Sequence, residues 1–161
     1  MLTETQKKRL QYLHSYEWAE GNEEENLKAL LAKIDSHEEL WFASFIIMWS
    51  PEEGDLKFFY THSLCDRGLA MFLYWALGPM ELYKAQNENK MDELQKSYFK
   101  VLKEIEGLLL SDHYSNGKIA FDPFKESWRK KEKGLELVPE ELVNATEREM
   151  ELSLNYNEVF N

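Results

Sequence analysis

The chain has 161 residues, 43% of them hydrophobic and 14% aromatic, enough apolar material to offset the entropy of ordering a core and too much for a disordered chain. Its 30 acids against 19 bases give a formal net charge of −11, which repels phosphate backbones and anionic head groups and disfavours direct nucleic-acid or membrane binding. Cys65 is the only cysteine, which excludes an intramolecular disulfide and a multi-cysteine zinc cage.

Thr3 and Gln6 fit a capping box, in which each side chain satisfies a backbone donor at a helix start, so a first helix is expected from there to about Trp18. Gly21 and Asn22 break the chain. Leu27, Leu30, Leu31 and Ile34 then fall three and four apart, predicting a second helix over 23–34 with its acids on the opposite side. Ser36 and Glu39 form another capping box, opening a third helix through Leu40, Trp41, Phe45 and Met48 that ends near Trp49. Ser50, Pro51, Glu52 and Glu53 have the chemistry of a helix start, but Gly54 follows at once, so only a short or irregular turn is expected.

Asp66 is placed to cap a helix reaching about Leu77, whose run LAMFLYWAL is apolar all round and marks the most buried element. Gly78 and Pro79 stop it, and a short helix is expected over 80–86. Met91, Leu94, Tyr98, Val101, Leu102, Ile105, Leu108 and Leu109 keep the helical period, predicting a long helix over 90–110. Asn116 and Gly117 suit either a tight hairpin turn or an extended connection. Asp122 and Pro123 open a basic helical stretch ending at Gly134, and Pro139 starts a final acidic helix with Leu142, Met150 and Leu152, followed by a docked tail. The expected fold is a mainly α, single-domain multi-helix bundle over 1–161, around a buried central helix at about 66–77, with room for a small β-hairpin near 112–121.

The longest apolar run, Leu69 to Leu77, is too short for the roughly 20 residues that a membrane-spanning helix needs. The first 18 residues lack the apolar region and cleavage site of a secretory signal, so a cytoplasmic protein is expected.

His62, Cys65 and Asp66 bring imidazole, thiol and carboxylate into one short segment, the chemistry of a metal site or an activated nucleophile. A complete metal site would need a further ligand, and His14, His37 and His113 do not stand at a recognised metal spacing from this trio. The stretch HEELW at His37 begins like a zinc-protease helix but has Trp41 where the second histidine belongs. Phosphate-loop, dinucleotide and serine-hydrolase fingerprints are absent, so an enzyme is disfavoured and no cofactor is expected.

Charge is uneven. Residues 17–39 hold eight acids against two bases and residues 135–161 seven against one, whereas 125–133 hold five bases and two acids. This pattern is read either as solvated helix faces with a basic strip paired inside the fold, or as an acidic surface that captures a basic protein. The expected partner-binding residues are Glu23, Glu24 and Glu25, the densest acidic cluster, with Trp49 beside a helix break and Trp128 inside the basic stretch. Trp75 is assigned to the core.

Two stretches, W49-SPEEGDLKFFYTHSL-CDRGLAMFLYW and HYSNGKIAFDPF, resemble a bacterial family catalogued as domain of unknown function 4274. Its members follow a tryptophan and acidic turn with a Cys-Asp-x-Gly-x-Ala stretch, matched here by Cys65, Asp66, Gly68 and Ala70, while Met48 and Leu69 depart from its pattern. The resemblance implies a small, helix-rich bacterial domain and transfers no catalytic residue. The leading expectation is an acidic module that neutralises or escorts a basic partner, such as an immunity protein for a bacterial toxin. The alternatives are a metal- or small-ligand-binding protein or enzyme using His62, Cys65 and Asp66, and a structural homo-oligomer.

Overall fold

A computed structural model describes residues 2–48, 53–115, 117, 119, 121–122 and 134–144. Trp49, Trp128, the basic stretch, the helix expected beyond Leu142 and the tail lie outside the described residues. The described residues contain seven α-helices and no strand, and no helix among them is long and apolar enough to cross a membrane. They group into two compact units, the first ending at Cys65 and the second beginning at Asp66.

The first unit contains α1 (Glu4–Ser15), α2 (Glu23–Leu31), α3 (His37–Ile47) and α4 (Glu53–Tyr60). Thr3 and Gln6 close the capping box that the sequence predicts, and α1 buries Leu10 and Leu13. The helix stops before Trp18 because Tyr16 adopts a left-handed conformation at φ 59°, and Trp18 falls in a 3-10 turn over Glu17–Ala19. The buried Trp18 indole donates at 2.8 Å to the Leu13 carbonyl, which also accepts from the Tyr16 N–H at the helix end. Likewise α2 ends at Leu31 rather than Ile34: Lys33 and Ile34 donate to Leu30 and Leu31, tightening the chain into a turn.

Helix α3 starts at the Ser36 cap, as expected, and Glu39 to Ser44 are all buried. Its capping box is not closed, since the Glu39 carboxylate turns to other partners. The short irregular turn expected at Gly54 is instead the eight-residue α4. Leu56, Phe59 and Tyr60 stand one turn apart and are buried, which outweighs the roughly 1 kcal/mol that glycine costs inside a helix. Helix α1 packs on α3, and α2 and α3 pack on α4.

The second unit contains α5 (Arg67–Ala76), α6 (Pro79–Asn87) and α7 (Glu93–Leu110). Every residue of α5 from Gly68 to Trp75 is buried, so the helix read as apolar all round is covered all round. Gly78 takes φ 72° to end it, and Pro79 opens α6 at the position where a missing N–H costs nothing. Helix α7 begins three residues later than expected, behind a capping box of Asp92 and Gln95. It buries Val101, Leu102, Ile105 and Leu109 but leaves Leu94 exposed, because α5 and α6 cover only part of its apolar stripe. The described residues of 112–121 form a connection without a strand, so the hairpin is not seen in them. Where a final helix is expected after Pro139, the described residues form a 3-10 turn over Glu140–Leu142, whose Leu142 carbonyl accepts from the buried Trp75 indole at 2.9 Å.

Candidate functional site

His62 and Cys65 belong to the first unit and Asp66 to the second, and each has a structural use of its own. The His62 Nδ1 accepts from the Leu64 N–H at 3.1 Å, which leaves the proton of the neutral ring on Nε2. Burial pushes this imidazole below the ordinary histidine range; a hydrogen bond to the Leu31 backbone opposes the shift and nearby His37 adds to it. Cys65 is buried as a small apolar side chain whose N–H donates to the His62 carbonyl at 2.8 Å. No group of three or more His, Cys, Asp or Glu side chains among the described residues is arranged to hold a metal ion.

Asp66 is fully buried and caps α5 as the sequence predicts, its Oδ1 accepting from the Leu69 N–H at 2.9 Å. Its second oxygen does something no local pattern announces: Oδ2 accepts from the Ile119 N–H at 2.8 Å, across 53 residues of chain. The Arg67 N–H donates to the Ser115 carbonyl and its guanidinium to the Leu109 carbonyl, so the connection after α7 is strapped onto the start of α5. The strap lies so close that a Cβ on Gly68 would fall 1.8 Å from the Ile119 carbonyl oxygen, and one on Gly117 would fall 2.1 Å from the Asp66 carboxylate. Gly68 and Gly117 are therefore required by the close approach of the two segments, and Asp66 by the backbone donors it ties together. Both Asp66 oxygens are spent on backbone donors, which is the chemistry of a structural joint.

A second buried carboxylate in this unit, Glu106 on α7, was not legible as special. It accepts from the Tyr74 hydroxyl of α5 at 3.0 Å and from the Tyr83 hydroxyl of α6 at 2.5 Å, and it is bonded to the Lys103 ammonium. Lys103 also donates to the Tyr83 oxygen at 2.9 Å and lies 5.3 Å from the centre of that ring. Burial raises the Tyr74 phenol and, beside Glu106, the Tyr83 phenol above the ordinary tyrosine range. Burial lowers the Lys103 ammonium, but its bonds to Glu106 and Tyr83 outweigh that and leave it raised. A tyrosine within the apolar run LAMFLYWAL was the available signal, since a buried phenol needs an acceptor.

In the first unit Glu39 is fully buried and accepts two bonds from Arg9, at 2.6 Å to Nε and 2.8 Å to Nη2. Gln6 of the α1 capping box donates onward to Asp35 at 2.7 Å and to the Ser36 hydroxyl at 3.1 Å, fixing α1 to the turn before α3. The opening beside Arg9 and Glu39, lined also by Leu10, Leu30 and Ile34, encloses about 220 Å³ including open solvent. Its enclosed part has room for about one water, far below the roughly 300–1,000 Å³ typical of small-molecule sites.

Glu23, Glu24 and Glu25 form the exposed first turn of α2, behind the Asn22 cap. Asn26 ties this turn to the preceding 3-10 turn by donating to the carbonyls of Trp18 and Glu20, so the exposed Glu17 and Glu20 are held beside it. None of the three glutamates pairs with a base among the described residues. Compared with family models, curated proteins and solved structures, the chain matches none of them.

Proposed function

We propose that the chain is an acidic protein-binding module of the bacterial cytoplasm that captures a basic protein, in the manner of an immunity protein neutralising a toxin, and that it is akin to the family of unknown function 4274. The observation supporting this reading is the acidic face of the first unit. From Glu17 to Glu25 the sequence carries five acids and no base, and all five side chains are exposed. Acids at a helix start complement its dipole, and here three stand in succession, none paired with a base among the described residues. Such a face steers a cationic partner and speeds encounter in a salt-dependent way.

The test uses the tagged full chain and a variant with Glu23→Lys, Glu24→Lys and Glu25→Lys in a pull-down from the source organism, across increasing salt. The expected result is one stoichiometric basic protein, bound by the native chain and lost from the variant. Recovery of the same protein by the variant, or of none by either chain, rejects the acidic face as the binding surface.

A further inference from the structure

Immediately before the acidic run in the chain stands an aromatic ring that the core does not consume. Tyr16 is 46% exposed, and its ring stacks at 6.2 Å and 27° on Trp18. Trp18 in turn is buried and anchored through its indole N–H to the Leu13 carbonyl. The ring thus has one neighbour in Trp18, and its backbone is held in the left-handed region, which a bulky residue adopts only under strain. Glycine or asparagine would cap α1 with less strain, so helix termination does not explain a tyrosine at this position. Tyr12, 41% exposed, lies four residues earlier on α1. Glu17 and Glu20 follow in the same turn, and Asn26 holds that turn to the glutamates of α2.

We infer that Tyr16 is a rigid platform for an arginine side chain of the basic partner, with Glu17, Glu20 and the α2 glutamates supplying the surrounding negative charge. The inference rests on the acidic-module reading and adds to it a contact residue and a preferred cation. A planar guanidinium stacks on an aromatic face while its N–H groups remain available to carboxylates, whereas a lysine ammonium is more strongly hydrated and offers no plane. An exposed ring that directly precedes a run of five acids and no base therefore favours arginine over lysine, a discrimination that charge alone does not supply.

The probes are a peptide of alternating arginine and glycine and its lysine counterpart, titrated calorimetrically at low ionic strength into the full chain and into Tyr16→Asn, Tyr16→Phe and Glu23→Gln/Glu24→Gln/Glu25→Gln variants. Asparagine tolerates the left-handed backbone, so Tyr16→Asn removes the ring with little strain. The native chain is expected to bind the arginine peptide about two- to fivefold more tightly than the lysine peptide, the scale of an exposed cation–π contact. Tyr16→Phe keeps that preference, Tyr16→Asn abolishes it, and the glutamine variant weakens both peptides together. In the native chain, ring-proton resonances of Tyr16 shift with the arginine peptide, a readout independent of any variant's folding. An unchanged arginine preference in Tyr16→Asn, or unmoved Tyr16 resonances during binding, overturns the platform; the acidic reading survives if the glutamine variant still binds less. Salt-insensitive binding, or none, overturns both. Self-association of the native chain that Tyr16→Asn abolishes makes the occupant a second copy and likewise overturns the arginine assignment.

Discussion

The two units bury carboxylates in different company. In the first, Glu39 faces a cation, Arg9, in a two-bond fork; in the second, Asp66 is held by backbone N–H groups and Glu106 by two phenols, with Lys103 at its outer edge. An ion pair offsets desolvation with opposite charge and fails by stranding a charge when one member is lost. Neutral donors offset it by number and geometry and fail by leaving donors unsatisfied or by being pushed out of place. The contrast predicts different responses to substitution and to pH.

The largest effect is expected where geometry leaves no room. Gly68→Ala places a Cβ 1.8 Å from the Ile119 carbonyl, so the strap must lift and surrender the Asp66 and Arg67 bonds. We expect a loss of about 4 kcal/mol or more in urea unfolding, as buried-network and strain effects combine. A variant within about 1 kcal/mol of the native chain would show that the strap yields easily. Next comes Arg9→Ala, which strands Glu39. Breaking a buried pair costs about 3–5 kcal/mol, and Arg9 lies near the surface, so about 3 kcal/mol is expected. Arg9→Met with Glu39→Leu should recover most of that loss; a double variant no better than Arg9→Ala alone would mean that the pair fixes α1 by geometry rather than by charge.

Which parts were legible follows from the range of the interactions. The Thr3, Ser36 and Asp66 caps and the burial of α5 depend on neighbours within a few residues, and the sequence carries them openly. Gly54 was read by its propensity alone, although Leu56, Phe59 and Tyr60 already gave the helical spacing that overrides it. The Asp92–Gln95 box had the same pattern as the Thr3–Gln6 box and was readable. Asp66 with Ile119, Arg9 with Glu39 and Tyr74 with Glu106 join residues 30 to 53 positions apart, and nothing in one chain marks such pairs. Of the partner-binding candidates, Glu23, Glu24 and Glu25 are exposed, while Tyr16 was missed because its exposure depends on a left-handed turn with no glycine to announce it.

Glu106→Gln probes the hub in which two phenols and one cation share a carboxylate. The amide can keep its oxygen on the two phenols that share Oε2, but its N–H₂ then faces the Lys103 ammonium, so a loss of about 1–3 kcal/mol is expected at neutral pH. The native hub also sets an alkaline limit. Tyr74, Tyr83 and Lys103 are all raised in the folded chain, so their stabilising contribution is complete below the unfolded values near pH 10. Above that, the unfolded chain releases protons that the folded chain keeps, and stability falls as pH rises. Denaturant midpoints measured upward from pH 9 should decline in the native chain and less steeply in Tyr83→Phe; equal slopes would place the titration elsewhere.

The smallest effect belongs to His62, and its sign is opposite. Its folded pKa is lowered, so the folded chain favours the neutral ring and the contribution is complete above the unfolded value of about 6.5. As pH falls below that, the unfolded chain takes up a proton first and stability drops through the folded value. A proton on Nδ1 would also oppose the Leu64 N–H that this atom now accepts, so protonation breaks a bond as well as adding charge. His62→Gln, which cannot titrate, should flatten the midpoint between pH 7 and 5, and hydrogen exchange should place the native acid response in the first unit, at Leu64. Acid opening of the Tyr74, Tyr83 and Glu106 cluster before Leu64 would collapse the contrast, because the neutral-donor unit would then fail at both ends of the pH range.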